Sequence, residues 1–337
     1  MSVAVTGGGG YIGSHMVYDL LERGEEVVVI DNFSTGFDWA IAADAEVVEA
    51  DVGDEARMTA LFRERKVDAI IHFAGSIVVP DSVRDPLGYY LNNTVKSRSL
   101  AAAAVAAAVP HLIFSSTAAV YGSPEVMPVT EETPLMPESP YGWSKLMTEV
   151  MLRHVSDATE LKYCALRYFN VAGADPKGRT GQSSRGATHL IKVACEAALG
   201  KRASIDIFGT DYPTPDGTCV RDYIHVTDLV AAHANALGYL RAGGDSLVAN
   251  CGYGHGFSVR EVLGAVEDVV GRPLPIRESG RRLGDATEIV ANPRVAMETL
   301  KWTPRHQDLR QIITHALEWE DRLTRRNSVA RSPAPAA

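Results

Sequence analysis

The chain has 337 residues, 46% of them hydrophobic, and 33 Lys+Arg against 42 Asp+Glu give a formal net charge of −9. The acidic balance excludes a general nucleic-acid binder, which needs a basic face, and the apolar fraction excludes a disordered chain. At ~100–200 residues per domain the length implies two domains or one large α/β unit.

Residues 3–5 form a short apolar strand ended by the glycines at 7–10. Residues 11–23 then read helical, with Ile12, His15, Met16, Asp19 and Leu20 at helical spacing and Gly24 as the stop. A strand at 26–30 ends at Asp31, completing a strand–turn–helix–strand unit. The alternation continues with a strand at 47–50, a helix at 58–66 and a strand at 68–73. An Ala-rich helix over 91–109 is stopped by Pro110, a strand at 112–114 leads into Ser115, Ser116 and Thr117, a long helix covers 140–155, and a strand covers 163–168. Apolar strands separated by helices predict a parallel sheet covered on both faces.

Near Asn170 the pattern changes. The chain becomes rich in Gly, Pro, Thr and charge as far as about Gly217, with one clear helix at 189–199. Later segments are short: 223–225, 229–240, 248–250, 258–270 and an amphipathic helix at 309–323. The expected fold is therefore α/β: a Rossmann-type doubly wound parallel sheet with a second, smaller α/β substrate-binding lobe. The first domain is drawn at 1–170, with later segments returning to it, and the second at 171–325. Residues 328–337 are low-complexity and expected to be a disordered tail.

The four cysteines contain no Cys-x-x-Cys pair, so neither a zinc site nor a disulfide scaffold is signalled, and such sparse use fits a reducing compartment. The longest apolar run, the Ala-rich stretch ending at Val109, is far shorter than the ~20 residues a membrane span needs. No basic, cleavable leader precedes the first strand, so the expected location is cytoplasmic, with no membrane partner and no metal.

Gly7, Gly10 and Gly13 are spaced G-x-x-G-x-x-G, and Gly8-x-Gly10-x-x-Gly13 also fits G-x-G-x-x-G. Such glycines serve a tight turn, backbone approach to a pyrophosphate and close helix–strand packing, with the pyrophosphate at the helix N-terminus. A glycine-rich loop alone is weak evidence. This one follows a strand, opens a helix and is followed by Asp31, 18 residues past Gly13. The position of Asp31 suits the adenosine ribose hydroxyls. No Lys or Arg between Asp31 and Arg57 would receive a 2′-phosphate, so NAD is preferred over NADP. Asp51 and Val52, past the next strand end, suit an adenine contact or an ordinary strand-terminal turn.

Tyr141 and Lys145 form the chain's only Tyr-x-x-x-Lys and would share one helix face near Ser115, Ser116 and Thr117. A free phenol, with a pKa of ~10, is a poor base near neutrality. A nearby ammonium and an oxidised nicotinamide would favour the phenolate, which could then take a proton from a substrate alcohol.

Together GGGGYIGSH, the Ser-Ser-Thr stretch before Val120-Tyr121-Gly122, and Tyr141-x-x-x-Lys145 resemble the extended short-chain dehydrogenase/reductase superfamily. Within it HFAG at 72–75, LRYFNVAGA at 166–174 and FGTDYPTPDGTCVRDYIHVTDL at 208–229 resemble the UDP-glucose 4-epimerase family, from about residue 1 to residue 323. The resemblance implies an NAD-dependent isomerase that inverts C4 of a UDP-hexose through a transient 4-keto sugar. It implies Tyr141 as base, Lys145 as its partner and holder of the nicotinamide ribose, and Thr117 as the hydroxyl bonding O4. It implies NAD contacts at Gly7, Gly10, Tyr11, Ile12, Asp31, Asn32, Asp51, Val52, Phe73, Ala74, Asn92 and Tyr168. For the nucleotide sugar it implies Arg221, Arg282 and Asp285 at the diphosphate, uridine and ribose. It also implies Asn170 and His189 near the diphosphate, Phe208 at the uracil and Tyr223 in the same motif. A homodimer through the helices at 91–109 and 140–155 is implied as well.

The chain departs from the family pattern at Ile77, where some members carry a lysine near the nicotinamide, and at His189, where asparagine is frequent. Ile289 falls where some members have a large tyrosine gating the 2-substituent, so a smaller residue leaves room for an N-acetyl group. Two rivals remain. A nucleotide-sugar 4,6-dehydratase usually needs Asp-Glu after the Thr, where this chain has Ala118 and Ala119. A redox-sensing NAD-binding regulator usually loses the Tyr or the Lys, and this chain keeps both.

Overall fold

The computed structural model describes residues 2–184, 186–282 and 285–329. The chain opens with β1 (Ser2–Thr6), α1 (Tyr11–Glu22), β2 (Glu26–Asp31), β3 (Glu46–Glu49), α2 (Glu55–Glu64) and β4 (Val67–His72). Two short helices, α3 (Val79–Arg84) and α4 (Pro86–Tyr89), lead through a π-helical turn (Tyr90–Val95) into α5 (Lys96–Ala106). There follow β5 (His111–Thr117), α6 (Pro140–Ala158), β6 (Lys162–Tyr168), β7 (Asn170–Ala172), α7 (Leu190–Ala198), β8 (Ile205–Phe208), β9 (Val220–His225), α8 (Val226–Arg241) and β10 (Leu247–Cys251). The chain ends with β11 (Gly256–Ser258), α9 (Val259–Val270), β12 (Ile276–Ser279), β13 (Glu288–Ile289), α10 (Arg294–Glu298) and α11 (Leu309–Val329).

Seven strands form one sheet in the order β10-β6-β5-β4-β1-β2-β3, every neighbouring pair parallel. Alternate residues feed opposite layers, as period-2 strands must. Val3, Val5, Val29, Ile71 and Leu166 pack with Met16 and Leu20 of α1 and Leu229 and Leu237 of α8. Ala4, Val28, Ile30, Ile70 and Phe114 pack with Met58 and Phe62 of α2, Leu100 of α5 and Leu152 of α6. Burial on both faces explains why these strands read as continuous apolar runs. The strand order reverses direction beside β1, and in such sheets ligands bind at the carboxyl ends of the strands at that point.

A second sheet holds β11, β9 and β13, with β7 also pairing β9; β12 and β8 form a third, two-stranded piece. Helices α7, α9 and α11 cover these small sheets through Ile191, Val262, Val266, Ile312 and Ile313. The helix expected over 91–109 is shorter and begins as the π-turn, because Asn93 and Thr94 make tertiary bonds to Ser144 that pull the chain off α geometry. The last helix runs on to Val329. Residues 330–337, most of the expected disordered tail, lie outside the described residues.

Beneath the carboxyl end of β5 lies a buried ion pair. Arg167 of β6 donates from Nε and Nη2 to the Glu149 carboxylate of α6, the Nη2–Oε2 distance being 2.6 Å. Ser116 donates its hydroxyl to the same carboxylate, and Arg167 Nη1 donates to the Tyr121 phenol at 3.0 Å. Both side chains are about 95% buried, at 4% and 5% exposure. Removing one partner leaves the other charged and dry, which typically costs 3–5 kcal/mol. Arg167→Met should therefore lower the unfolding free energy in denaturant by about 3–5 kcal/mol, and adding Glu149→Met should recover much of it. A single-variant loss below ~1 kcal/mol would mean that the pair carries no such constraint.

Candidate active site

The first turn of α1 starts at Gly10, which caps the helix with no side-chain hydrogen bond, and no acidic residue occupies that turn. Its leading N–H groups thus face outward, as anion binding requires. Close approach dictates the glycines around it. A Cβ on Gly7 would lie 2.7 Å from Ala74 N, and one on Gly13 would lie 2.1 Å from Gly7 O. A Cβ on Gly10 would meet only Gly7 O, at 3.1 Å, so the cradle is open on that side. Asp31, at the end of β2, accepts from Gly9 N at 2.9 Å and Phe33 N at 2.8 Å. Asp51 pairs with Lys96 at 2.6 Å and accepts from Gly53 N at 2.8 Å; burial raises its carboxyl, and these contacts outweigh it and draw it below the usual range. Phe73 N donates to Thr6 O, and Ala74 N donates to Thr6 Oγ1 at 3.3 Å, so the ends of β1 and β4 are tied together. Tyr11 leaves this cradle to donate its phenol to Gly173 O at 2.7 Å. Ile12 packs at the border of the core beside it, and Val52 is buried under α2. The residues present fit a dinucleotide: open amides for the pyrophosphate, a strand-end acid for the ribose, and apolar walls on either side.

Tyr141 stands in the first turn of α6. Ser139 caps that helix by accepting from Gly142 N at 3.1 Å, and Pro140 takes the first position, where its missing N–H costs nothing. A Cβ on Gly142 would come within 2.7 Å of Ala119 O, so the helix end rests directly on the turn after Thr117. Tyr141 and Thr117 are thereby brought close enough for the hydroxyl to act on the phenol. Burial pushes the Tyr141 phenol up to about 12, and the Thr117 bond opposes that rise. Lys145, one turn on, is 3% exposed, donates from Nζ to Ser115 O at 2.9 Å and lies 4.9 Å above the Phe114 ring. Burial lowers its ammonium to about 8, and the Glu149 carboxylate works against that. The sequence argument gave the pull on the phenol to Lys145 together with an oxidised nicotinamide; in the structure Thr117 opposes the rise from burial, and Lys145 donates to the Ser115 carbonyl.

Around this pair Tyr168 bonds Ser115 through its phenol, and Asn92 donates to Ser76 Oγ at 2.9 Å. Asn93 is the residue that motif reading passed over. It donates to Ser144 Oγ at 3.0 Å and to Ser76 O at 2.9 Å, and accepts from Ser76 N at 2.7 Å. It thereby joins α6 to the loop after β4. Its only sequence signal is its position beside Asn92. Ile77, at the place of the family's lysine, is 47% exposed.

The nucleotide-sugar candidates fall into groups. Arg282 lies over the Phe208 ring, Cζ 4.5 Å from its centroid, and donates from Nε to Asp285 at 2.9 Å. These three form one cation, one ring and one acid at an open surface. Arg221 donates to Val220 O and stands opposite Ile289 across β9 and β13. Asn170 stands opposite Tyr223 across β7 and β9, and both line a small cavity with His189. His189 accepts at Nδ1 from Gln182 Nε2 at 3.0 Å, and burial lowers its imidazole. Ile289 is buried with Ala118, Phe169 and Val129, adjoining Thr117. Among the described residues no group of His, Cys, Asp and Glu is arranged to hold a metal, and no helix is long and apolar enough to cross a membrane.

Known proteins agree with this geometry. Residues 3–252 match the model of the NAD dependent epimerase/dehydratase family. The chain is 53% identical over 333 residues to a UDP-glucose 4-epimerase of Azospirillum brasilense, covering 99% of this chain and 95% of that one. A crystal structure of UDP-glucose 4-epimerase from Brucella ovis in complex with NAD superposes with a TM-score of 0.91 at 42% identity, covering 94% of this chain and 97% of that one. The Bifidobacterium longum enzyme in complex with NAD+ and UDP gives 0.90 at 36% identity, covering 96% and 98%. With the Tyr-Lys pair, the glycine cradle and the seven-stranded sheet all in place, the chain belongs to the NAD dependent epimerase/dehydratase family.

Proposed function

We propose that the protein interconverts UDP-galactose and UDP-glucose by inverting C4 of the hexose, with NAD held at the glycine turn. The observation that carries this reading is the meeting of Tyr141, Thr117 and Lys145 at the carboxyl end of β5, on the sheet edge that also carries the cradle. The glycine turn and Lys145 would hold NAD, which would supply a reversible hydride acceptor for C4 and a positive ring whose charge favours the phenolate. Tyr141 holds and returns the O4 proton. Thr117 can donate to one oxygen while accepting from another. Lys145 is a buried donor, kept cationic by Glu149. Gly7, Gly10, Tyr11, Ile12, Asp31, Asn32, Asp51, Val52, Phe73, Ala74, Asn92 and Tyr168 frame the cofactor. Phe208, Arg282 and Asp285 take the uridine, Arg221, Asn170 and His189 the diphosphate, and Tyr223 and Ile289 bound the sugar side. The four cysteines are free and buried, which supports a cytoplasmic location.

Purified protein incubated with UDP-galactose should yield UDP-glucose and no deoxy-keto sugar. A 4-keto-6-deoxy product would make it a dehydratase, and no turnover by NAD-loaded protein would make it a binding module. NAD should co-purify, since one cofactor molecule takes and returns the same hydride; apo-protein with activity proportional to added NAD would contradict this. Tyr141→Phe keeps the ring and removes one oxygen. It should retain fold and NAD and lose ~10²–10⁴-fold in kcat; a loss under tenfold would put the base elsewhere.

The assembly we propose is a homodimer. Val105, Trp143, Met147 and Val150 expose 36–44% of their surfaces along the outer face of α5 and α6, and with Ala101 and Ala102 they line one apolar groove. A predominantly apolar face of this kind, with Arg98, His154 and Thr159 also lining it, marks an association surface, and the alanines of α5 allow a second copy's helices to approach closely. Light scattering at micromolar concentration should give twice the chain mass, and Met147→Glu with Val150→Glu should halve it. A monomeric wild type would overturn the assembly.

A further inference from the structure

The segment after β2 lies across the glycine turn. Phe37 N donates to Gly9 O at 2.9 Å, and Phe33 N and Gly9 N share the Asp31 carboxylate. The chain then makes one helical turn, Asp38–Ala40, before Ile41 and Ala42 enter the core. Trp39, in the middle of that turn, does not join the core and is only half buried. Other rings hold it instead. Phe37 lies 5.1 Å away, centroid to centroid, and Trp319 of α11 lies 6.4 Å away with planes 24° apart. The Arg326 guanidinium, also on α11, sits 4.0 Å over the Trp39 ring.

Trp319 is itself immobilised. It is 7% exposed, donates from Nε1 to Ser183 Oγ at 3.3 Å, and packs so closely on Gly181 that a Cβ there would lie 2.3 Å from its ring. Its neighbour Glu320 is buried and paired with Lys192 and Lys201. Helix α11 packs on α7 and α9, away from the seven-stranded sheet. The stack therefore links a fixed post in the small-sheet part of the molecule to the segment lying over the cofactor cradle.

We propose that Trp39 is a positioning residue that latches residues 33–40 over the glycine turn against Trp319 and Arg326, and so slows NAD release. The inference rests on the NAD reading above. To leave, a dinucleotide must lift this segment from Gly9, and lifting it breaks the ring stack and the cation–π contact together. Trp319 also lines the small cavity with Asn170, His189 and Tyr223, so the test varies Trp39 and Arg326, which do not, and reads release of the cofactor.

The test uses the NAD-loaded protein. Release of bound NAD is followed by chase with excess labelled NAD in the wild type, Trp39→Ala, Trp39→Phe and Arg326→Ala. Loss of an aromatic stack and a cation–π contact should speed release on the order of tenfold in Trp39→Ala. Trp39→Phe should stay close to wild type, Arg326→Ala should fall between, and activity lost by Trp39→Ala on dialysis should return with added NAD. Trp39→Ala releasing NAD at the wild-type rate would overturn the latch. Should Trp39→Ala fail to fold, Arg326→Ala decides, because its side chain is exposed and its removal leaves the core intact: a wild-type release rate there also overturns the proposal. Wild-type protein that neither carries nor binds NAD would sink the cofactor reading itself, and the latch with it.

Discussion

The Glu149–Arg167 pair sets where Tyr141 and Lys145 stand. Tyr141, Lys145 and Glu149 follow one another at intervals of four residues, so each is turned only about 40° from the last around α6. Fixing Glu149 against β6 therefore fixes the rotation of the whole helix and the direction in which Tyr141 points. The carboxylate also accepts from Ser116 of β5, and the guanidinium reaches Tyr121, whose phenol donates to Asn250 of β10 at 2.7 Å. One buried charge pair thus joins β5, β6, α6, the turn after Thr117 and the edge strand β10. A hydrophobic replacement could match its stability but would lose the carboxylate that favours the charged Lys145. A lysine at 3% exposure otherwise drifts toward its neutral form.

Much of this was legible in the chain. The doubly wound sheet was visible because most of its strands are buried on both faces and read as apolar runs, several of them closed by Gly or Asp. The cradle and Tyr141/Lys145 were visible because their chemistry demands fixed spacings on one element. The small strands were hidden. β7, β8, β11, β12 and β13 have two to four residues each, too few for a period, and their partners are remote: Ile205 stands opposite Ile276, and Val220 opposite both Ser258 and Glu288. Glu149, Arg167 and Asn93 were hidden for another reason. Each acts through tertiary hydrogen bonds, and in sequence a helix glutamate, a strand arginine and a second asparagine look like ordinary polar positions.

The Ala-rich stretch shows where local pattern misleads. Its composition favours one long α-helix, yet its first five residues take π geometry while Asn93 and Thr94 bond α6 and the loop after β4. Propensity is worth tenths of a kcal/mol per residue, whereas leaving the buried Asn93 amide unsatisfied would cost ~1–3 kcal/mol. The tertiary bonds win, and the helix changes its winding next to the site, where π-turns are often found.

The first passage between the two parts of the molecule is one residue long, and the chain crosses again from β9 into α8 and from β10 into β11. β6 ends at Tyr168, which bonds Ser115, and β7 begins at Asn170, which pairs with Tyr223. Phe169, between them, is buried with Ala118, Ile289 and Ala291. A single extended residue adds ~3.3 Å of chain and, once its side chain is packed, has no freedom to act as a hinge. The sheet that carries the glycine turn and the small sheets are therefore held in fixed register at this point, with Ile289 and Ala118, the residue after Thr117, in the same small core. A reaction that must lift a hydride from one face of a sugar and return it to the other needs the base and the cofactor cradle to stay still while the sugar turns between them. A one-residue passage, pinned by an aromatic side chain, supplies that stillness where a flexible linker would not.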